Sequence, residues 1–201
     1  MLKNSKIKNF YANHSRGFTL VEALVAITIL IIGVIGPLQI AARGIGDGIF
    51  AANQIAANYL AQEAMELVVN KRYELARKYQ YTELTGNFFQ QDPGFQACLS
   101  GDSGTFCQVN PLTGDIDPNC TTGGQLTPND SCKLRFNKAN GNGLYELYDA
   151  NSTNQIGTIF TRSIQMSEVS SEILKVTVTV TWFNKDIAKT LTLVEYLFSK
   201  G

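Results

Sequence analysis

The sequence holds a single histidine, His14, and it falls within the first 17 residues. If that stretch is removed, no imidazole is left for a Ser-His-Asp, Cys-His or histidine–metal site. Net charge is lacking as well: 17 basic residues balance 17 acidic ones, so the chain has no broad attraction for phosphate and no nucleic-acid partner is expected. No two cysteines stand as a close Cys-x-x-Cys pair, which argues against a zinc centre. The Gly44-Ile45-Gly46-Asp47-Gly48 cluster lacks the lysine and the preceding strand of a phosphate-binding loop. Nothing places two carboxylates together in a cleft. These absences point away from an enzyme, and no cofactor and no metal is expected.

What is present is organised from the N-terminus. Residues 1–17 carry Lys3, Lys6, Lys8 and Arg16 and no acid; without them the chain has 13 basic and 17 acidic residues, a mildly acidic product. From Phe18 to Ala42 run 25 residues with one charge, Glu22, long enough as a helix to cross roughly 30 Å of hydrocarbon. The basic cluster before this run holds residues 1–17 in the cytoplasm and sends the rest outward. A secretory signal usually has a shorter apolar region and a small-x-small cleavage site. Ala42-Arg43-Gly44 is a poor version of that site.

A lone carboxylate in an apolar helix costs several kcal/mol unless it is paired or neutralised, so Glu22 is a candidate functional residue. No Lys or Arg follows within a few turns, and Arg16 lies on the leader side. A cut after Gly17 would give Phe18 a positive α-amine one helical turn from Glu22, ready to pair within the chain or between neighbours.

The residues Arg16-Gly17-Phe18-Thr19-Leu20-Val21-Glu22-Ala23-Leu24-Val25-Ala26 resemble the type IV prepilin signature, in which a Gly precedes the cut and a Glu is fifth in the mature chain. The resemblance implies cleavage between Gly17 and Phe18 by a membrane-embedded prepilin peptidase, N-methylation of Phe18, and assembly through Thr19 and Glu22. It also implies other pilin subunits and an inner-membrane assembly platform as partners. The wording Val-Glu-Ala-Leu-Val-Ala is similar to PilV-type minor pilins and the related I-type pseudopilins of type II secretion. Asn58-Tyr59-Leu60-Ala61-Gln62-Glu63-Ala64-Met65-Glu66 resembles the Leu-Ala-Gln stretch of the same subunits.

Gly33, Gly36, Pro37, Gly44, Gly46 and Gly48 follow; in a helix interior each Gly costs about 1 kcal/mol and Pro about 3. Gly33, Gly36 and Pro37 are therefore the expected softening point. It stays helical in a membrane, where unsatisfied backbone is costlier, and is the place to kink in a filament. Between Gly48 and Gly86 there is neither Gly nor Pro, and Phe50, Ala57, Leu60, Ala64 and Leu67 recur at helical spacing. This predicts an amphipathic helix capped by Asp47, with a Glu74–Lys78 pair.

Residues 80–132 are rich in turn formers and hold Cys98, Cys107, Cys120 and Cys132, which predicts a loop region with little regular structure and two disulfides in an oxidising space. Pairing Cys98 with Cys107 and Cys120 with Cys132 closes the shortest loops of the three connectivities and is favoured on entropy. The run Asp115-Ile116-Asp117-Pro118-Asn119 matches a calcium loop poorly, with Cys120 where such a loop wants Gly. Period-two patterns near 144–148, 156–166, 173–183 and 189–198 predict four antiparallel strands. The third has Val176, Val178, Val180 and Trp182 on one face, and Asn184-Lys185-Asp186 supplies its turn.

The expected fold is α+β: a long N-terminal helix, membrane-spanning in its first half and amphipathic in its second, packed on a C-terminal four-stranded antiparallel sheet, as in type IV pilins. The expected organisation is a cleaved leader at 1–17, a membrane or filament-core helix at 18–48, the head's helix at 49–79, the cysteine loop at 80–132 and the sheet at 133–201. The resemblance implies a minor, PilV-like pilus subunit, single-pass in the cytoplasmic membrane before assembly and then at the cell surface. A type II secretion pseudopilin and a membrane-anchored binding module that never polymerises are the alternatives.

Overall fold

The computed structural model describes residues 17–79, 87–99, 106–118, 120, 132–137, 145–146, 155–184 and 187–199. The expected leader up to Arg16, parts of the cysteine stretch and residues 185–186 of the expected turn lie outside the described residues. The chain divides into two units, Met1–Ile49 and Phe50–Gly201.

Helix α1 spans Leu20–Lys78 and includes Pro37. Asp47 does not cap a second helix, because α1 passes through it. Once a helix is nucleated, each further residue adds a backbone hydrogen bond, and this outweighs scattered glycines. In the first unit the side chains of α1 are almost all exposed, and an 18-residue window has a mean hydropathy of 2.4 with none of it buried. A fully exposed apolar helix of this length fits membrane anchoring or packing in an assembly.

In the second unit, α1 buries Ala57, Leu60, Ala61, Ala64, Met65, Val68 and Leu75, a stripe at helical spacing. Glu74 pairs with Lys71 at 3.8 Å, not with Lys78, and Lys71 also reaches Asp115 at 3.4 Å. Lys71 thereby meets two carboxylates, and Lys78 lies over the Tyr79 ring instead.

The stretch expected as loop carries short elements. A 3-10 turn covers Phe88–Gln91, with Asn87 accepting a bond from Phe89 N at 3.2 Å. Helix α2 spans Pro93–Leu99, and the Asp92 carboxylate accepts from Gly94 N and Phe95 N at its start, a capped entry with Pro at the first helical position. Strands β1, Gln108–Val109, and β2, Ile116–Asp117, pair antiparallel, which places two residues of the calcium-like run in a ladder. Gly114 between them has φ +73°, a conformation that favours glycine. Phe88, Phe89, Phe95, Val109 and Ile116 all join the core. The apolar residues of this region are scattered without a period, which is why sequence pattern alone reads it as loop.

The main sheet has five antiparallel strands in the order β4-β3-β5-β6-β7: β3 is Lys133–Asn137, β4 Tyr145–Glu146, β5 Gln155–Ser170, β6 Ile173–Asn184 and β7 Ile187–Phe198. The four strands expected from sequence are β4 to β7. The additional β3 inserts between β4 and β5, so β4 is an edge strand and not a neighbour of β5. Its alternation, Lys133-Leu134-Arg135-Phe136-Asn137, lasts only five residues. On β6, Val176, Val178, Val180 and Trp182 are buried, opposite Met166, Ile164 and Arg162 of β5 and Glu195 to Lys189 of β7. The covered face of this sheet and the stripe of α1 share one hydrophobic core.

Candidate assembly site and the fastening of the head

Thr19 stands just before α1. Its carbonyl accepts the first intrahelical bond from Ala23 N at 3.1 Å, and its Oγ1 accepts from Glu22 N at 3.3 Å. That is an N-cap hydroxyl satisfying one of the helix's free amides, in the Thr-x-x-Glu order of a capping box. The sequence carries this signal plainly, although the expected cap was Asp47. Glu22 consequently lies in the first turn, where the partial positive charge of the helix end favours a carboxylate. It is exposed, and no cation pairs with it among the described residues. Phe18 is 74% exposed. Gly17, Phe18 and Thr19 directly precede the apolar helix, and Glu22 lies in its first turn. Gly33, Gly36 and Pro37 lie within α1, and an added Cβ at Gly33 or Gly36 would meet nothing within 4 Å.

The four cysteines are joined as Cys98–Cys107 and Cys120–Cys132, with sequence separations of 9 and 12. Backbone hydrogen bonds at one cysteine of each pair attach the cysteine stretch to β5. Cys107 and Ile164 exchange two backbone bonds at 2.8 Å, and Arg162 N donates to Cys132 O at 3.0 Å.

Between these attachments is a residue that sequence reasoning did not single out. Arg162, on the inward face of β5 between Phe160 and Ile164, is 1% exposed. Its Nη1 donates to Glu63 Oε2 at 2.6 Å and to Leu60 O at 3.2 Å, and its Nη2 donates to Val109 O at 3.1 Å. Burial pushes the guanidinium pKa down, and the Glu63 carboxylate pulls it back up. One side chain therefore links helix, sheet and cysteine stretch. A charge at an apolar parity position of a strand was the available signal. Arg72 makes a second tie, donating from Nε to Phe198 O at 2.7 Å. Among the described residues no group of three or more His, Cys, Asp or Glu side chains is placed to hold a metal ion.

Residues 12–36 match the family described as the prokaryotic N-terminal methylation motif. The match spans the capped turn, Glu22 and the apolar helix up to Gly36, and it supports the broad class of type IV pilins and pseudopilins, whose members are structural subunits. No curated protein and no solved structure matches the chain.

Proposed function

We propose that the chain is a minor, PilV-like structural subunit of a type IV pilus, cleaved by prepilin peptidase between Gly17 and Phe18, N-methylated at Phe18, and assembled through its N-terminal helix. The observation that carries this is the single carboxylate, Glu22, held in the first turn of an exposed apolar helix inside a methylation motif. Burying that helix, in lipid or among neighbouring helices, strands the charge unless a cation meets it. Cleavage supplies the cation as the new amine of Phe18, and Thr19 holds Glu22 in the turn that faces it. A tether that never polymerised would gain nothing from this acid. Before assembly the helix crosses the cytoplasmic membrane with the head outside; afterwards the subunit belongs to a surface filament reached through an inner-membrane platform.

Sequencing the terminus of the native protein tests this reading, and the expected first residue is methylated Phe18. Recovery of a chain starting at Met1 from cells with active peptidase would overturn it. A type II secretion pseudopilin is the second reading, since the Leu60-Ala61-Gln62 stretch resembles I-type subunits as well as PilV-like ones. It is separated from the first by whether the chain copurifies with sheared surface pili or stays with a secretion complex.

A further inference from the structure

A groove of about 530 Å³ opens beside α1 in the second unit, lined by Ala56, Tyr59, Leu60, Glu63, Glu66 and Tyr145, among others. Its two acids differ in state. Glu63 is tied to buried Arg162. Glu66, three residues on and exposed, has no cation among the described residues, and the like charge of Glu63 lies one turn away on the same helix face. Tyr59 is 68% exposed, so its ring is open to a partner. The groove thus offers a carboxylate, two tyrosines and an aliphatic floor. That combination suits a guanidinium, which stacks on aromatic faces, pairs with a carboxylate and lays an apolar stem along alkyl surface.

The chain itself carries such a group in the complementary situation. Between Phe18 and Asn70 the only cation is Arg43. It is exposed on α1 and forms no ion pair among the described residues, Asp47 one turn further included. Gly44 and Gly48 adjoin it one turn apart, and an added Cβ at either meets nothing within 4 Å, so another molecule's surface can approach the backbone closely here. Arg43 and Glu66 both stand on α1, far outside the i, i+4 reach of each other, so a contact between them joins two copies.

We propose that the groove at Tyr59, Glu66 and Tyr145 receives Arg43 of a second copy of this chain, as a contact between neighbouring subunits. The inference rests on the filament reading above and names one of the surfaces that reading requires. The contact desolvates the one cation of the apolar helix and relieves the repulsion between Glu63 and Glu66 in the same step.

The test uses the full chain in cells that assemble the filament, with Arg43→Glu, Glu66→Arg, the double exchange and Glu22→Ala compared for incorporation into sheared filaments. Each single reversal is expected to lower incorporation by roughly fivefold to tenfold, the scale of a partly exposed charge contact turned repulsive, and the double exchange to restore it. In cells carrying two differently tagged copies, Arg43→Cys on one and Glu66→Cys on the other are expected to give a crosslink containing both tags. Single reversals without effect, while Glu22→Ala abolishes incorporation, would overturn the contact and leave the filament reading standing. Losses that the double exchange does not restore, with no two-tag crosslink, would also overturn it and assign Arg43 to a lipid phosphate or a different subunit. If Glu22→Ala is itself without effect, the filament reading fails and this contact falls with it.

Discussion

Arg162 shows how much of the head's arrangement depends on one side chain. Its charge is removed from water and answered by Glu63 and by the carbonyls of Leu60 and Val109, so loss of the acid leaves a buried guanidinium without its counter-charge. Glu63→Gln is expected to destabilise the head by about 2 kcal/mol, below the value for a fully buried pair because Glu63 is partly solvated. Urea unfolding of the full chain in detergent, followed by fluorescence of Trp182, the only tryptophan and a buried one, measures it. Asp115 is the second informative residue. The Thr113 hydroxyl first, with Lys71 adding to it, holds its carboxyl pKa below the ordinary range against the opposing effect of burial. A depressed carboxyl contributes stability above its unfolded pKa and loses it as pH falls through the folded one. The protection of the Asn110 and Gly114 amides relative to their intrinsic exchange rates, in the turn that Asp115 closes, is therefore expected to hold at neutral pH and to fall on acidification below the ordinary carboxylate range.

Among the elements, β6 is the one whose sequence and structure agree most fully. Alternate valines predict one buried face, and Val176, Val178 and Val180 are 0% exposed. The strand has partners on both sides, β5 and β7, so truncation on its inner face leaves a cavity that neither neighbour can fill by sliding. Leu174→Ala, a fully buried position facing Leu197, is expected to cost about 2–5 kcal/mol, read as a shift in the urea midpoint with unchanged slope. α1 was legible as helix on either side of the Gly33 to Gly48 stretch, because its apolar run and its later 3.6-residue stripe are both long. Its start at Thr19 was legible too, once Thr-x-x-Glu is recognised as a cap, whereas Asp47 mimics a cap only while the preceding glycines are taken as a break. The 3-10 turn, α2, β1 and β2 were not legible as elements. Each is too short for a period to show, and they are held by the caps at Asn87 and Asp92, by Gly94, whose added Cβ would come within 2.9 Å of Ile116 Cβ, and by the cysteines.

For the whole molecule, the two disulfides close short loops, with sequence separations of 9 and 12. Chain entropy assigns each about 3 kcal/mol, so reduction is expected to lower the thermal midpoint of the head. Scanning calorimetry with and without reductant measures this, and an unchanged midpoint would show that the core residues of this stretch hold it unaided.

The amino-acid sequence by itself determined that there is one membrane-length apolar helix with one acid near its start, that a basic stretch precedes it, and that alternating strands follow. These are signals of spacing and composition over a few residues, where local sterics and hydrophobic period decide. Only the tertiary structure decided that β3 separates β4 from β5, that the cysteine stretch contributes to the core, and that Arg162 meets Glu63 across 99 positions and Arg72 meets Phe198 across 126. Such pairings depend on which buried surfaces fit together and satisfy each other's polar groups, and no spacing within a single segment encodes that.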